Sequence, residues 1–168
     1  MELPAEAIES VLARWPVADL ATPGADGRPH VVPVVFAHRD GDLWSPIDGK
    51  PKSGRELVRV RNLRRDPRVA LLLHHYDADW RKLWWLRVEG SAEVRTLASP
   101  PDEADTRALA ALREKYPQYA ETPLPGAGGT LLRIRIEALR SWRASGEVVE
   151  PSGIEPPTSA LRTQRSPS

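Results

Sequence analysis

The stretch LWWLRVEGSAEV, residues 83–94, shows the most regular pattern in the chain and decides its fold class. From Trp84 to Val94 every second residue is apolar or small, while the positions between them are mostly charged or polar. Because neighbouring side chains of a strand point to opposite faces of a sheet, this alternation predicts a long β-strand with one buried face. Trp85 is the exception, since it is an aromatic residue on the mostly polar face.

Shorter strands are predicted on both sides of this one. Apolar runs bounded by turn residues indicate them at residues 17–22, 30–37, 42–46, 69–76, 132–137 and 139–144. Pro33 cannot donate to a ladder, so it marks an edge or a bulge in its strand. Helices are predicted at residues 8–15, at residues 55–66, and from Ser99 as N-cap, with Pro100 as the first helical residue, to Tyr116. This order predicts an antiparallel, mainly β (α+β) protein.

The composition predicts one folded domain, residues 1–146, and a disordered C-terminal tail, residues 147–168, which contains four prolines and no aromatic residue. The chain has no cysteine, which excludes disulfides and thiolate chemistry. No apolar run reaches the length of a membrane span, and the acidic N-terminus does not resemble a signal peptide. We therefore expect a cytoplasmic protein without a membrane span.

Positive charge is concentrated in one segment, although the formal net charge of the chain is only +1. A local basic cluster beside a helix start favours a small anion, such as a cofactor phosphate, over nucleic acid. In a helix over residues 55–66, Arg55, Arg59 and Asn62 share one face, and that face is predicted to bind the phosphate. The segment, residues 48–68, contains eight basic residues: Lys50, Lys52, Arg55, Arg59, Arg61, Arg64, Arg65 and Arg68.

A solvated surface role is the better interpretation for the four arginines on the far side of that helix, which are Arg61, Arg64, Arg65 and Arg68. No metal site is predicted, because His74 and His75 are adjacent strand residues that point to opposite faces and cannot chelate one ion. No nucleophile, triad or pair of acids stands out, so catalytic residues stay unassigned. Tyr76 or His75, at the end of a strand, is a candidate proton donor.

Four stretches, in this order along the chain, together resemble a known family: ATPGADGRPHVVPVVF (21–36), DGDLWSPIDGKPK (40–52), LVRVRNLRRDPRVALLL (57–73) and WWLRVEGSAEV (84–94). They are similar to the split β-barrel family of pyridoxamine 5′-phosphate oxidase-like (PPOX) proteins, and specifically to its branch that uses the deazaflavin coenzyme F420. The resemblance spans roughly residues 17–144. It implies an FMN-binding-like split β-barrel that forms a homodimer, with the cofactor in a groove between subunits.

The resemblance also implies residue roles. Ser45 and Pro46 flank the ribityl chain, and Arg59 takes the phosphate. Trp85 falls where relatives touch the ring from the partner subunit, although dimer packing explains a stranded tryptophan equally well. The ring itself is lined by backbone atoms of the second strand, at Val31, Val32, Pro33, Val34 and Val35.

The loop GKPKSGREL, residues 49–57, is longer than the family pattern. Its Lys50, Lys52 and Arg55 add cations that flavin mononucleotide (FMN) does not need. Coenzyme F420 carries a lactyl-oligoglutamate tail beyond its phosphate, so these cations favour F420.

The leading hypothesis is an F420-dependent oxidoreductase that passes hydride between reduced deazaflavin and an unsaturated or quinone-like small molecule. Two alternatives stay open: a non-catalytic carrier or sequestering protein for F420, and an FMN-dependent oxidase of the same family. The cofactor, rather than the protein, carries the chemistry in either enzyme.

Overall fold

The computed structural model describes residues 1–47 and 56–145, which form one antiparallel sheet with helices at its periphery. The strands follow the order β2-β1-β5-β6-β7-β4-β3 across the sheet, which confirms the predicted mainly β (α+β), split-barrel fold. No helix in these ranges is long and apolar enough to cross a membrane. The strands are β1 (Ala18–Pro23), β2 (Pro29–Val34), β3 (Ala37–Arg39), β4 (Asp42–Ile47), β5 (Arg68–His75), β6 (Trp84–Thr96) and β7 (Thr130–Arg143); the helices are α1 (Ala5–Arg14), α2 (Val58–Arg65) and α3 (Glu103–Lys115), with 3-10 turns at Trp80–Lys82 and Pro117–Ala120.

Strand β6 confirms the alternation that predicts it. The even-numbered residues from Trp84 to Ala92 are buried, and Trp85 lies on the opposite, more exposed face. The buried face belongs to a main core that α1 and α2 cover, and a second apolar cluster lies between the sheet and α3. The long apolar face of β6 therefore anchors the sheet, with β5 and β7 as its neighbours.

Strand β7 corrects the prediction of two separate strands at residues 132–137 and 139–144. It is one strand with a β-bulge, because Glu89 pairs with Ala138 and Gly90 pairs with Ile136, which leaves Glu137 as an extra residue. A bulge shifts the alternation of core-facing residues by one position, so the apolar pattern of β7 resembles that of two separate strands. Gly90 is required at this point, because a Cβ atom there would collide with the carbonyl oxygen of Arg135.

The predicted strand at residues 30–37 is confirmed as β2, but its end is wrong, since β2 ends at Val34 and β3 begins at Ala37. The backbone N–H of Phe36 donates to the Tyr116 hydroxyl oxygen at 3.0 Å, and the carbonyl oxygen of Phe36 lies 2.7 Å from the same hydroxyl. The Tyr116 hydroxyl thus replaces a neighbouring strand as the hydrogen-bond partner of the Phe36 backbone, and β2 does not continue through Phe36.

Helix α3 starts later than predicted, because Asp102 rather than Ser99 is its N-cap. The Asp102 carboxylate accepts a hydrogen bond from the backbone N–H of Asp105 at 2.8 Å. Pro100 cannot be the first helical residue, since it precedes Pro101 and a residue before proline is held in extended conformation.

Candidate functional site

Strand β2 lies at an edge of the sheet, as Pro33 predicts. Within the described residues it pairs with β1 alone, so its other backbone edge is open. Val31 is 57% exposed and Pro33 is exposed, whereas Val32 and Val34 are turned toward the core. Val35 lies beyond the strand end and packs against the second apolar cluster. This edge can accept a flat ligand against its backbone.

Helix α2 is fixed beside the β1–β2 hairpin by a buried hydrogen bond. The side-chain amide of Asn62 donates to the Thr22 hydroxyl oxygen at 3.1 Å. The hairpin therefore holds the Asn62 side chain, and the place of Asn62 beside Arg59 on a phosphate-binding face stays a prediction. The helix starts at Val58 and Arg59, in its first turn, is half-buried. Lys50, Lys52 and Arg55 lie outside the described residues, as does the predicted tail.

A basic cavity of about 480 Å³ separates α2 from the β1–β2 turn, and we name it the arginine cavity. Arg28 of the turn and Arg61 and Arg65 of α2 contribute its guanidinium groups. Asp26 also lines it, with a carboxylate oxygen 3.6 Å from Arg28 Nε, as does His30 of β2. Arg65 additionally donates to the carbonyl oxygen of Pro23. Arg61 and Arg65 are both exposed, as the solvated interpretation expects, although Arg65 also has this backbone partner. The i, i+4 spacing of Arg61 and Arg65 indicates that the two lie close together on α2. The cavity itself could not be predicted, because the hairpin that completes it is remote in sequence.

The other two arginines of the basic segment are engaged locally. Arg64 donates to the Glu56 carboxylate at 2.9 Å, on the surface. Arg68 hydrogen-bonds to Asp66 and lowers the pKa of that carboxyl to about 2. Because each is already paired with a carboxylate, these two cations contribute less to binding an external anion.

The end of β4 meets the other side of α2. Ile47 of β4, with Leu57 and Val60, lines a groove that residues 123–130 close. Ser45 and Pro46 are buried in β4, and the Ser45 hydroxyl has no hydrogen-bond partner among the described residues. A buried polar atom without a partner is unfavourable. The hydroxyl therefore has unused hydrogen-bonding capacity, and Ser45 lines neither the arginine cavity nor this groove.

Trp85 lies in a different place, on the exposed face of the sheet. It pairs with His74 of β5 and Trp142 of β7 across the strands. These residues line a mostly apolar cavity of about 400 Å³, which we name the aromatic cavity. Tyr76, 73% exposed, and His75 line it as well. Both candidate proton donors are thus close to Trp85.

The start of β2, at Pro29 and His30, and the end of β4, at Ile47, both lie beside α2. Neither the arginine cavity nor the groove at the end of β4 is lined by the predicted cofactor contacts, which are Val31, Val32, Pro33, Val34, Val35, Ser45, Pro46 and Arg59. Trp85 is separate from them within one chain, since it alone of the described site residues lines the aromatic cavity. His74 and His75 lie near different carboxylates, with Nε2 atoms 3.5 Å from Asp19 and 3.6 Å from Asp77 respectively. No group of three His, Asp or Glu side chains in the described ranges is arranged to hold a metal ion.

Comparisons with known proteins match this architecture. The family model described as pyridoxamine 5′-phosphate oxidase matches residues 4–143. A conserved hypothetical protein from Mycobacterium tuberculosis is 28% identical, with a TM-score of 0.62 over 85% of this chain and 87% of that one. An FAD-binding protein from Mesorhizobium loti is 23% identical, with a TM-score of 0.60 over 84% and 93% of the two chains.

The heme storage protein HutZ from Vibrio cholerae is 20% identical, with a TM-score of 0.61 over 85% of this chain and 95% of that one. At such identities the last two proteins indicate a shared fold. No curated protein matches the chain.

Proposed function

This chain belongs to the pyridoxamine 5′-phosphate oxidase family, and from that premise we propose that it is an F420-dependent oxidoreductase acting on an unsaturated or quinone-like small molecule. The observation that carries the proposal is the arginine cavity beside α2, and the open edge of β2 and the unpartnered Ser45 hydroxyl support it. When bound, the deazaflavin supplies the hydride chemistry, so the protein has to bind, orient and shield the reactants.

Each residue of the site has a role in this proposal. The Ser45 hydroxyl, without a partner among the described residues, donates to the ribityl chain. Arg59 donates to the phosphate, since it lies in the first turn of α2. Backbone atoms on the open edge of β2, at Val31, Val32, Pro33 and Val34, hold the ring together with those of Val35 just beyond the strand.

The arginine cavity supports F420 over FMN. FMN ends at its phosphate, whereas F420 continues into an oligoglutamate tail that needs further cations. Arg61 and Arg65 supply two beside α2, in addition to the proposed contacts of Lys50, Lys52 and Arg55, while the charge of Arg28 is offset by Asp26. FMN is the second candidate, supported by the family and by the FAD-binding protein of the same fold.

We also propose a homodimer in which the exposed sheet face is covered by a second copy. Leu72 and Trp142, 37% and 40% exposed, lie beside half-buried Trp85 on this face. An apolar patch of this kind is unfavourable in water and suits a self-complementary interface. In the dimer, Trp85 approaches the partner's cofactor ring, and Tyr76 or His75 is near enough to serve as a proton donor.

The test is a direct comparison of cofactors. The protein is stripped of bound small molecules and titrated with F420 and with FMN, and the absorbance and mass of anything that copurifies are recorded. We expect F420 to bind more tightly by at least roughly tenfold, the equivalent of one additional charge-assisted bond. Tighter FMN binding would favour the oxidase.

A second measurement separates an enzyme from a carrier. Reduced F420 in large excess over the protein is mixed with a quinone such as menadione, and its reoxidation is followed by absorbance. Oxidation of many equivalents per protein supports catalysis. Tight binding without turnover of menadione or of an unsaturated lactone supports the carrier.

A further inference from the structure

The aromatic cavity contains three rings whose faces the folded chain does not use. Trp85 and Trp142 are directly opposite each other in neighbouring strands, a placement in which side chains usually interact. Yet the rings of Trp85, Trp142 and Tyr76 form no stacked or edge-to-face pair with one another or with any other ring in the described ranges. Their flat faces are therefore available to a ligand in the cavity.

The polar groups of the same three side chains are unused as well. The indole N–H groups of Trp85 and Trp142 and the Tyr76 hydroxyl make no hydrogen bond within residues 1–47 and 56–145. Trp44, by contrast, donates its indole N–H to the carbonyl oxygen of Arg39 at 3.2 Å. An indole N–H can only donate, and a tyrosine hydroxyl can donate too. A ligand in this cavity would therefore meet donors, which favours a molecule with carbonyl oxygens as acceptors.

The basic groups that line the aromatic cavity are each close to a carboxylate. The guanidinium group of Arg87 lies 2.7 Å from the Glu89 carboxylate. His74 and His75 each have a carboxylate oxygen near Nε2, at 3.5 Å and 3.6 Å respectively. Because no charge at the cavity is left unbalanced, it has little attraction for an ion. We therefore expect a neutral ligand.

The volume of the aromatic cavity, about 400 Å³, lies near the lower end of the range of about 300 to 1,000 Å³ that small-molecule sites occupy. This size favours a molecule of two fused rings. We propose that the aromatic cavity binds a neutral, flat, two-ring molecule with a carbonyl oxygen, which contacts the faces of Trp85 and Trp142. In the proposed dimer the second copy covers the open side, and the bound molecule is the substrate. The assignment as substrate rests on the proposed function, whereas the binding itself does not.

Binding is measured by equilibrium dialysis of the stripped full-length protein against chromone, a neutral flat two-ring ketone. Three analogues each differ in one property: octahydrochromen-4-one is not flat, 2H-chromene has no carbonyl oxygen, and chromone-2-carboxylate is charged. We expect chromone to bind roughly two- to tenfold more tightly than each analogue, the gain typical of one aromatic contact or one hydrogen bond. Equal or tighter binding of an analogue would overturn the property that it tests, and failure of chromone to bind would overturn the site.

The position of the ligand is tested with two tryptophan variants. Trp142→Leu removes a ring and keeps an apolar side chain, so this variant should lose most of the preference for chromone over octahydrochromen-4-one. Trp80→Leu is the matched control, because Trp80 is exposed and does not line the cavity, and it should keep the preference. An unchanged preference in Trp142→Leu, or an equal loss in both variants, contradicts binding on the ring faces.

The assignment as substrate is tested in the turnover assay with menadione. Chromone should raise the KM for menadione and leave kcat unchanged, because the two molecules would share one pocket. Inhibition that does not depend on the menadione concentration, or a lack of any turnover, would overturn this assignment. Since the dialysis uses no cofactor, chromone binding without F420 binding would refute the proposed function and leave the ligand site standing, whereas F420 binding without chromone binding would refute the ligand site alone.

Discussion

At the scale of single residues, the proposed phosphate contact depends on Arg59. Removing one charge-assisted hydrogen bond costs about 1.5 to 3 kcal/mol, so Arg59→Ala should weaken cofactor binding roughly ten- to a hundredfold and leave the fold intact. Fluorescence titration measures the affinity. Arg64→Ala is the control, because Arg64 is on the surface and bonded to Glu56. Similar cofactor affinities of the Arg59→Ala and Arg64→Ala variants would show that Arg59 does not bind the phosphate.

Arg61 and Arg65 test which cofactor the arginine cavity serves. Because we assign this cavity to the anionic tail, Arg61→Ala combined with Arg65→Ala should weaken F420 binding by at least roughly tenfold and change FMN binding little. The two titrations are run on the same preparation. An equal loss for both cofactors would mean that the cavity contributes to the phosphate site, and the preference for F420 would lose its support.

At the scale of elements, the β-bulge between β6 and β7 depends on Gly90. In Gly90→Ala the new methyl group would overlap the carbonyl oxygen of Arg135, so one strand has to move. Overpacking of this kind typically costs about 1 to 3 kcal/mol, to be measured as a lower midpoint of urea unfolding. Gly126→Ala is the matched control, since no atom lies within 4 Å of a Cβ atom there. Equal midpoints for the two variants would show that the bulge tolerates a side chain.

The start of α3 predicts a dependence on pH. The backbone N–H of Asp105, together with the charge of Arg95, lowers the pKa of Asp102. Because the pKa is lower in the folded state, this contribution is fully present above the unfolded value near 3.9 and is lost as pH falls through the folded value. The melting temperature should therefore fall more steeply between about pH 4 and pH 2 for the wild type than for Asp102→Asn, which keeps a cap without the charge. Parallel curves would contradict this role.

These elements also show what a sequence can predict. The alternation along β6 is local, and it gave the correct buried face. The bulge, the Asp102 cap and the Tyr116–Phe36 contact depend on partners elsewhere, and the last of these joins residues 80 positions apart. In the candidate site, Arg59 could be singled out from its own helix, whereas the arginine cavity depends on a hairpin that packs against α2 only in the folded chain.

At the scale of the whole molecule, the exposed sheet face predicts the assembly. Leu72→Asp places a charge in the centre of the proposed interface, where its desolvation is costly. We expect light scattering to give twice the chain mass for the wild type at micromolar concentration and one chain mass for the variant, with weaker cofactor binding. Ala110→Asp, exposed on α3, should stay dimeric. A wild-type monomer that binds cofactor normally would exclude a site shared between subunits.

The position of β7 has a consequence for biosynthesis. This strand lies between β6 and β4 in the sheet, and its Leu132 pairs with Ser45, which is remote in the sequence. While the nascent chain leaves the ribosome, β4 and β6 each lack a neighbour until β7 emerges. Open edges of this kind pair readily with other chains, and pairings between remote segments close slowly, within about milliseconds to seconds. The vulnerable species is therefore the chain with β1 to β6 formed and β7 not yet paired, whose open edges a chaperone would have to shield.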